Sequence, residues 1–289
     1  MKTYAVILPN GFSINGRRYQ NAELRVPNGK DEIFVKELFP GISAVKRIIF
    51  LLSRCLVELG PKKVVGDDDI RSLTLGDRDA LLLHLRRITY GEKIESIIAC
   101  PKAGCKEKMS LELNIEDILI PPKRHTEEFY ELNKKVNGDD YSIEFRLPSA
   151  GDLEAVSDSS AQDSEPAFMK LLSRCIRDAN KNGQKLISVN LFPETLADAI
   201  SRRMAELDPQ SEILLTMTCP SCGNEFIADF DIGNFFLKEL AAHSQDVFHE
   251  VHLLAWNYHW DEGDILDMTR ARRQIYLNIL AEVLNTDES

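Results

Sequence analysis

The chain has 289 residues, of which 44% are hydrophobic and 28% charged, with six cysteines and a formal charge of −11. That length accommodates two domains of ordinary size, each able to bury its own core. The acidic balance argues against a protein that grips the nucleic-acid backbone, since phosphate neutralisation needs a basic face. Arg86-Arg87, Arg202-Arg203 and residues 270–273 are the densest basic groups, and each is short.

No apolar run reaches the length of a membrane span. Residues 1–9 read as a strand and lack the apolar stretch and small-residue cleavage site of a signal peptide. The chain is therefore expected in the cytoplasm, where cysteines serve as thiols or metal ligands rather than disulfides.

In chain order, residues 3–8 and 22–26 carry strand patterns around Asn15-Gly16, a hairpin signal. An apolar helix is predicted over residues 43–59, stopped by Gly60-Pro61. Asp67-Asp68-Asp69 reads as a solvated loop. A helix follows over residues 76–89, with Ala80, Leu83, Leu85 and Ile88 close to a helical repeat and Gly91 at its end. Residues 94–99 and 109–113 are strands on either side of Cys100 and Cys105.

The same order then recurs. Residues 129–136 and 141–147 form a hairpin around Asn137-Gly138, residues 166–180 and 193–207 are helical, and strands at 213–218 and 226–230 flank Cys219 and Cys222. The last part differs. A long helix is predicted over residues 236–257, with Leu240, Val247, Val251 and Leu254 as its apolar stripe. Asp261 caps a short helix with Asp264 in its first turn, and Thr269 caps a final helix holding Ile275, Ile279, Leu280 and Val283.

Particular residues repeat as well as elements. Glu23-Leu24-Arg25-Val26-Pro27 answers Glu144-Phe145-Arg146-Leu147-Pro148, and Leu51-Leu52-Ser53-Arg54-Cys55 answers Leu171-Leu172-Ser173-Arg174-Cys175. Asn114-Ile115-Glu116-Asp117-Ile118 answers residues 231–235. So many matches in one register imply a duplication. The expected class is α+β: two duplicated lobes, residues 1–120 and 121–235, with a helical appendix over 236–289.

Each lobe holds half of a metal site. Cys219-Pro-Ser-Cys222-Gly223 has the spacing of a zinc knuckle, and Cys100 and Cys105 sit at the upper end of ligand spacing. One pair cannot complete tetrahedral zinc and two pairs can. Cys100, Cys105, Cys219 and Cys222 are therefore expected to share one structural zinc, closed to water and so not catalytic. Packed reduced thiols are the alternative. A redox dithiol fits less well, because that motif normally opens a helix and strands flank this one. Cys55 and Cys175 lie in apolar helices and read as core thiols.

No catalytic motif is present. His249 and His252 are three residues apart rather than four, so the zinc-protease helix is absent, and there is neither a phosphate-binding glycine loop nor a nucleophile elbow. Trp256, Tyr258 and Trp260 form the one dense aromatic cluster, read as core packing with partner docking as the second possibility.

Taken together, residues 73–79 (Leu-Thr-Leu-Gly-Asp-Arg-Asp), Tyr90-Gly91, Cys100-Pro101, Phe145-Arg146-Leu147-Pro148, residues 151–154 and Cys219 to Gly223 resemble the baseplate hub assembly chaperone family of T-even-type contractile-tailed phages, found also in phage-tail-like injection systems. Residues 254–260, 264–266 and Arg272-Arg273 are similar to short domains of the same tail clusters. The resemblance implies a non-enzymatic role in building the baseplate, with hub or other tail proteins as partners and neither small-molecule substrate, nucleic acid nor membrane. It marks Trp256, Tyr258, His259, Trp260, Arg272 and Arg273 as the docking candidates. A permanent baseplate subunit is the neighbouring reading, and a zinc-ribbon nucleic-acid adaptor the more distant one.

Overall fold

The structure is a computed structural model that describes residues 2–37, 41–124, 127–159, 167–244 and 246–287. Asn15 and Gly16 both take positive φ, 51° and 74°, as a two-residue turn matched to strand twist requires. They join β1 (Thr3–Ile14) to β2 (Arg17–Arg25), followed by α1 (Gly29–Glu37) and α2 (Ala44–Cys55). Ser43 caps α2, its hydroxyl accepting from the Lys46 amide at 3.4 Å.

The predicted helix ends four residues early, because β3 (Leu56–Leu59) pairs antiparallel with β2. A second correction follows: the Asp67-Asp68-Asp69 segment is helical, as α3 (Asp67–Ser72). The Asp69 carboxylate accepts from the Gly66 amide at 3.0 Å, and acidic residues in the first turn suit the positive end of the helix dipole. Next come α4 (Leu75–Tyr90), then the ribbon of β4 (Lys93–Ala99) and β5 (Lys108–Asn114), then α5 (Ile115–Ile118).

The second half repeats these elements as β6 (Tyr130–Val136), β7 (Asp139–Phe145), α6 (Ala150–Ser159), α7 (Ala167–Cys175) and β8 (Ile176–Lys181). The strand β8 again replaces the end of a predicted helix, and Asn182-Gly183, at φ 51° and 79°, turns it into β9 (Gln184–Lys185). There follow α8 (Glu194–Leu207), β10 (Leu214–Thr218), β11 (Glu225–Asp229) and α9 (Ile232–Ser244). The helix predicted over 236–257 is two, α9 and α10 (Val247–Tyr258); α11 (Glu262–Leu266) and α12 (Arg270–Asp287) complete the tail. Residues 166 and 245 of the predicted helices lie outside the described residues.

Strands run β1-β2-β3 in one sheet and β6-β7-β8-β9 in another, with β4-β5 and β10-β11 as separate ribbons. Ile48, Ile49, Leu51 and Leu52 of α2 are buried in the first core, and each such side chain contributes about 1.5–3 kcal/mol relative to exposure. That core also takes Ile213, Phe230, Ile232, Phe236, Leu237 and Leu240 from the far end of the chain. The second core is confined to residues 130–207, and β10, β11 and α9 pack onto the first half.

The repeated arginines have one structural purpose. Arg25 grips the buried Asp31 with two nitrogens, at 2.5 and 3.0 Å, while Arg54 Nε donates to the same carboxylate at 2.8 Å and the Asn28 amide at 3.0 Å. In the second half Arg146, Arg174 and the Ser149 amide hold Asp152 through the same atoms at 2.5, 3.0, 2.9 and 3.0 Å. Each clamp ties a strand end and a helix end to the start of the next helix. Charge-assisted, bidentate geometry makes such contacts strong.

The halves meet where residues 73–79 touch the second half. The Pro148 carbonyl accepts from Leu75 N and the Leu73 carbonyl from Ala150 N. Asp208, the residue after α8, accepts from Gly76 N at 2.9 Å and from Asn10 Nδ2 at 2.7 Å. A Cβ on Gly76 would lie 1.9 Å from an Asp208 oxygen, so only glycine fits. Asp77 accepts from Asn10 N at 2.8 Å, and Lys123 Nζ donates to Asn10 Oδ1 at 2.8 Å. The tail docks in the matching way on the first half: Gly29 N donates to the Met268 carbonyl, and Asn28 bridges Thr269 as Ser149 bridges Thr74.

Two pH predictions follow from these buried carboxyls. Burial pushes Asp77 and Asp79 up to about 6. A carboxyl raised on folding stabilises the fold fully below about pH 4, and that contribution is lost as pH rises through about 6. Thermal melts across this range are expected to show a shallower decline for Asp77→Asn, and an unchanged slope would contradict the assignment. Burial also raises Asp152, but the bonds from Arg146 and Ser149 outweigh it and hold the carboxyl at about 2. Asp152→Asn is expected to cost about 1–3 kcal/mol at neutral pH in chemical denaturation. The difference from wild type should shrink as pH falls from about 4 toward 2, where the native carboxylate is itself lost.

Candidate functional site

The two ribbons present their turns to each other. In the first, Cys100 N donates to the Glu107 carbonyl at 2.8 Å and Cys105 N to the Lys102 carbonyl at 3.1 Å. Gly104 and Lys106 take positive φ there, 84° and 53°. In the second, Cys219 N donates to the Asn224 carbonyl and Gly223 N to the Cys219 carbonyl, both at 2.9 Å, with Gly223 at φ 65°. Such tight turns bring both thiols of a pair to one side.

Across the gap, Cys100 Sγ lies 3.8 Å from Cys222 Sγ and Cys105 Sγ 3.7 Å from Cys219 Sγ. All four sulfurs lie within 4.8 Å of one another. A disulfide needs about 2.05 Å, so these are thiols. Four thiolates around one ion at about 2.3 Å would lie about 3.8 Å apart on a tetrahedron. The cluster therefore has the dimensions of a metal site, and it is the only group of three or more candidate ligands close enough together among the described residues.

Cys100 and Cys219 are buried, Cys105 and Cys222 half-buried, and Met109, Met217 and Phe226 pack around them. Ser221 Oγ donates to Glu107 Oε2 at 2.7 Å, a further link between the turns. Burial raises the Cys219 thiol, but the Cys222 and Ser221 amides and the Cys222 and Cys105 thiols outweigh it and lower it, whereas burial raises Cys100, and Cys105 is raised by its neighbouring sulfurs although the Glu107 amide favours its thiolate. Cys55 and Cys175 end α2 and α7 inside the cores; burial pushes both thiols up, Cys175 to about 12.

The six predicted docking residues scatter over different environments. Trp256 is 73% exposed and stacks on His252 with centroids 6.3 Å apart. Tyr258 and Trp260 stack at 4.7 Å and Trp260 meets Tyr276 edge-on at 4.8 Å, so both are half-buried parts of the tail core. His259 is exposed at φ 58°, the left-handed residue that ends α10. Arg272 is exposed.

Arg273 corrects the expectation. It is 0% exposed and cannot meet a partner. Its Nε donates to Glu250 at 2.7 Å, its Nη2 to both oxygens of Glu32 at 2.9 and 3.1 Å, and its Nη1 to the Met268 carbonyl at 2.9 Å. It thus locks α12 to α10 and to α1. The acidic partners carry no local signal, because Glu32 lies 241 residues away. Asp208 likewise meets partners far off in the chain, Gly76 and Asn10, whereas Asp31 and Asp152 lie six residues from Arg25 and Arg146 and the repeated arginines point to them. Gly76 and Asp77, noticed as a motif, turn out to form the junction between halves.

These features define a mixed α/β protein whose halves meet at a four-cysteine cluster, with a helical tail clamped to the first half. The chain belongs to the T4 bacteriophage base plate protein family, whose model matches residues 45–237. The match includes both cysteine pairs and ends two residues into the tail. No curated protein and no solved structure matches the chain. Family membership supports a structural role in a phage-type tail, among other tail proteins. No helix among the described residues is long and apolar enough to cross a membrane.

Removing one member of a buried ion pair leaves an uncompensated charge and costs about 3–5 kcal/mol. Arg273→Met is expected to lose that much in chemical denaturation, with limited proteolysis opening the tail first. Retained tail protection would contradict the locking role.

Proposed function

We propose that this chain is a non-enzymatic assembly factor for the hub of a contractile-tail baseplate, a chaperone made rigid by one structural zinc. The observation that carries the zinc reading is the sulfur geometry: contacts at 3.7 and 3.8 Å, each between one cysteine of the first pair and one of the second. Zinc suits four thiolates, and a closed shell leaves no position for water, so the ion would hold the fold and activate nothing. Cys100, Cys105, Cys219 and Cys222 would be its ligands, reduced in the cytoplasm where tails are assembled.

The halves are read as products of a duplication, residues 1–120 and 121–235, with 236–289 as an added tail. In support, the Asp31 and Asp152 clamps use the same donor and acceptor atoms. The tail, nearly all of it beyond the matched segment, offers Trp256, His259 and Arg272 on its surface for a hub protein.

Elemental analysis of the purified chain should find one zinc per chain. Cys219→Ser should release it and lower the melting midpoint, since structural zinc contributes directly to folding; two ions or none would sink the shared site. A pull-down should recover hub components, and mature particles should lack the chain. A fixed copy number in finished particles would instead identify a permanent subunit.

A further inference from the structure

Among the described residues, β5 pairs only with β4, so one of its edges has no neighbouring strand. An unpaired edge is a template for a further strand. Register decides which residues of β5 can take one. Cys100 N donates to the Glu107 carbonyl and Ile115 N to the Glu92 carbonyl, so odd-numbered residues of β5 bond to β4. Even-numbered residues therefore point their amides and carbonyls outward. Lys108, Ser110 and Glu112 belong to this outward set, and their side chains are exposed. Glu112 faces Glu95 across the ribbon, and like charges directly opposite are destabilising. Neither carboxylate forms an ion pair among the described residues.

A second copy of the same strand supplies the missing cation. Laid antiparallel about Ser110, it sets Ser110 over Ser110, Lys108 over Glu112 and Glu112 over Lys108. All three pairs join residues whose backbone groups point outward, so each pair exchanges two bonds, about six in all. The opposite charges meet on the exposed face of the ribbon. The other three ribbon edges lack this property. On β11 the same operation about Ile227 sets Glu225 against Asp229, and on β4, about Ile97, it sets Glu95 over Ala99. The outward residues of β10 are Leu214, Thr216 and Thr218, which carry no charge. Self-complementarity about a twofold axis is what an isologous contact requires.

We propose that β5 is a dimerisation edge, on which a second copy of this chain pairs antiparallel through Lys108, Ser110 and Glu112 to make a four-stranded sheet in the order β4-β5-β5-β4. The inference does not depend on the baseplate reading. So short an edge falls at the small end of protein interfaces, so the dimer is weak and forms as concentration rises.

Sedimentation velocity on the full chain, from about 1 to 100 µM, should show a shift from monomer toward dimer. Ser110→Pro should hold the chain monomeric, because it removes an outward amide and leaves the bonds between β4 and β5 in place. Lys108→Glu and Glu112→Lys change only exposed side chains, and each sets like charges in both facing pairs. Each alone should weaken association several-fold. An equimolar mixture of these two variants should associate as well as wild type, and so should a chain carrying both substitutions. A wild-type chain that stays monomeric overturns the proposal. So does a dimer that survives Ser110→Pro, or a mixture of the charge variants that fails to associate.

Discussion

Four sulfur atoms must reach one point from two turns that lie 114 to 122 residues apart in the chain. That convergence decides the arrangement of everything between them. To bring Cys219 and Cys222 against Cys100 and Cys105, the second ribbon must leave the core of its own half and lie beside the first. Ile213, Phe230 and Ile232 accordingly pack into the first core. The second half is left as a smaller body built around residues 130–207. The cluster thus links halves that already share apolar contacts, and the two constraints reinforce each other.

Around it the fold relies on buried carboxylates, each answered differently. Asp31 and Asp152 receive two arginines and a backbone amide apiece, enough to overcome the cost of burying their charge. Asp77 and Asp208 at the junction have fewer cations, mainly Lys123 and Arg78, and burial raises both. The clamps inside each half therefore stay ionised far into acid, whereas Asp77 at the seam takes up a proton as pH falls through about 6. This places the softer electrostatics where the halves meet.

The tail repeats the logic of the seam with different residues. Thr269 meets Asn28 as Thr74 meets Ser149, and backbone bonds from Gly29 and Ala150 reach Met268 and Leu73 in the same way. Equivalent loops in the two halves thus each receive the start of a helix, one from the first half and one from the tail. The tail's added lock is Arg273, which supplements the apolar tail core with ion pairs to Glu32 and Glu250. A family role in phage tail structure suits a body with so many long-range ties.

Local chemistry in the sequence was enough to place both Asn-Gly hairpins, the helices at α2 and α4, the two ribbons and the cysteine pairs, because turn residues, periodicity and alternation act over a few positions. Asn182-Gly183 has the same turn chemistry as Asn15-Gly16, and it marks the turn from β8, which takes the place of the end of the expected helix, into β9. Tertiary structure alone decided the remaining points. Leu56 to Leu59 continue an apolar helix by pattern, yet become strand because β2 offers their amides partners. Arg273 reads as one basic residue in a run of surface charge, yet is buried because two carboxylates from distant helices meet there. Periodicity and capping are local properties of a chain, while partners supplied from a hundred or more residues away exist only once the chain has folded.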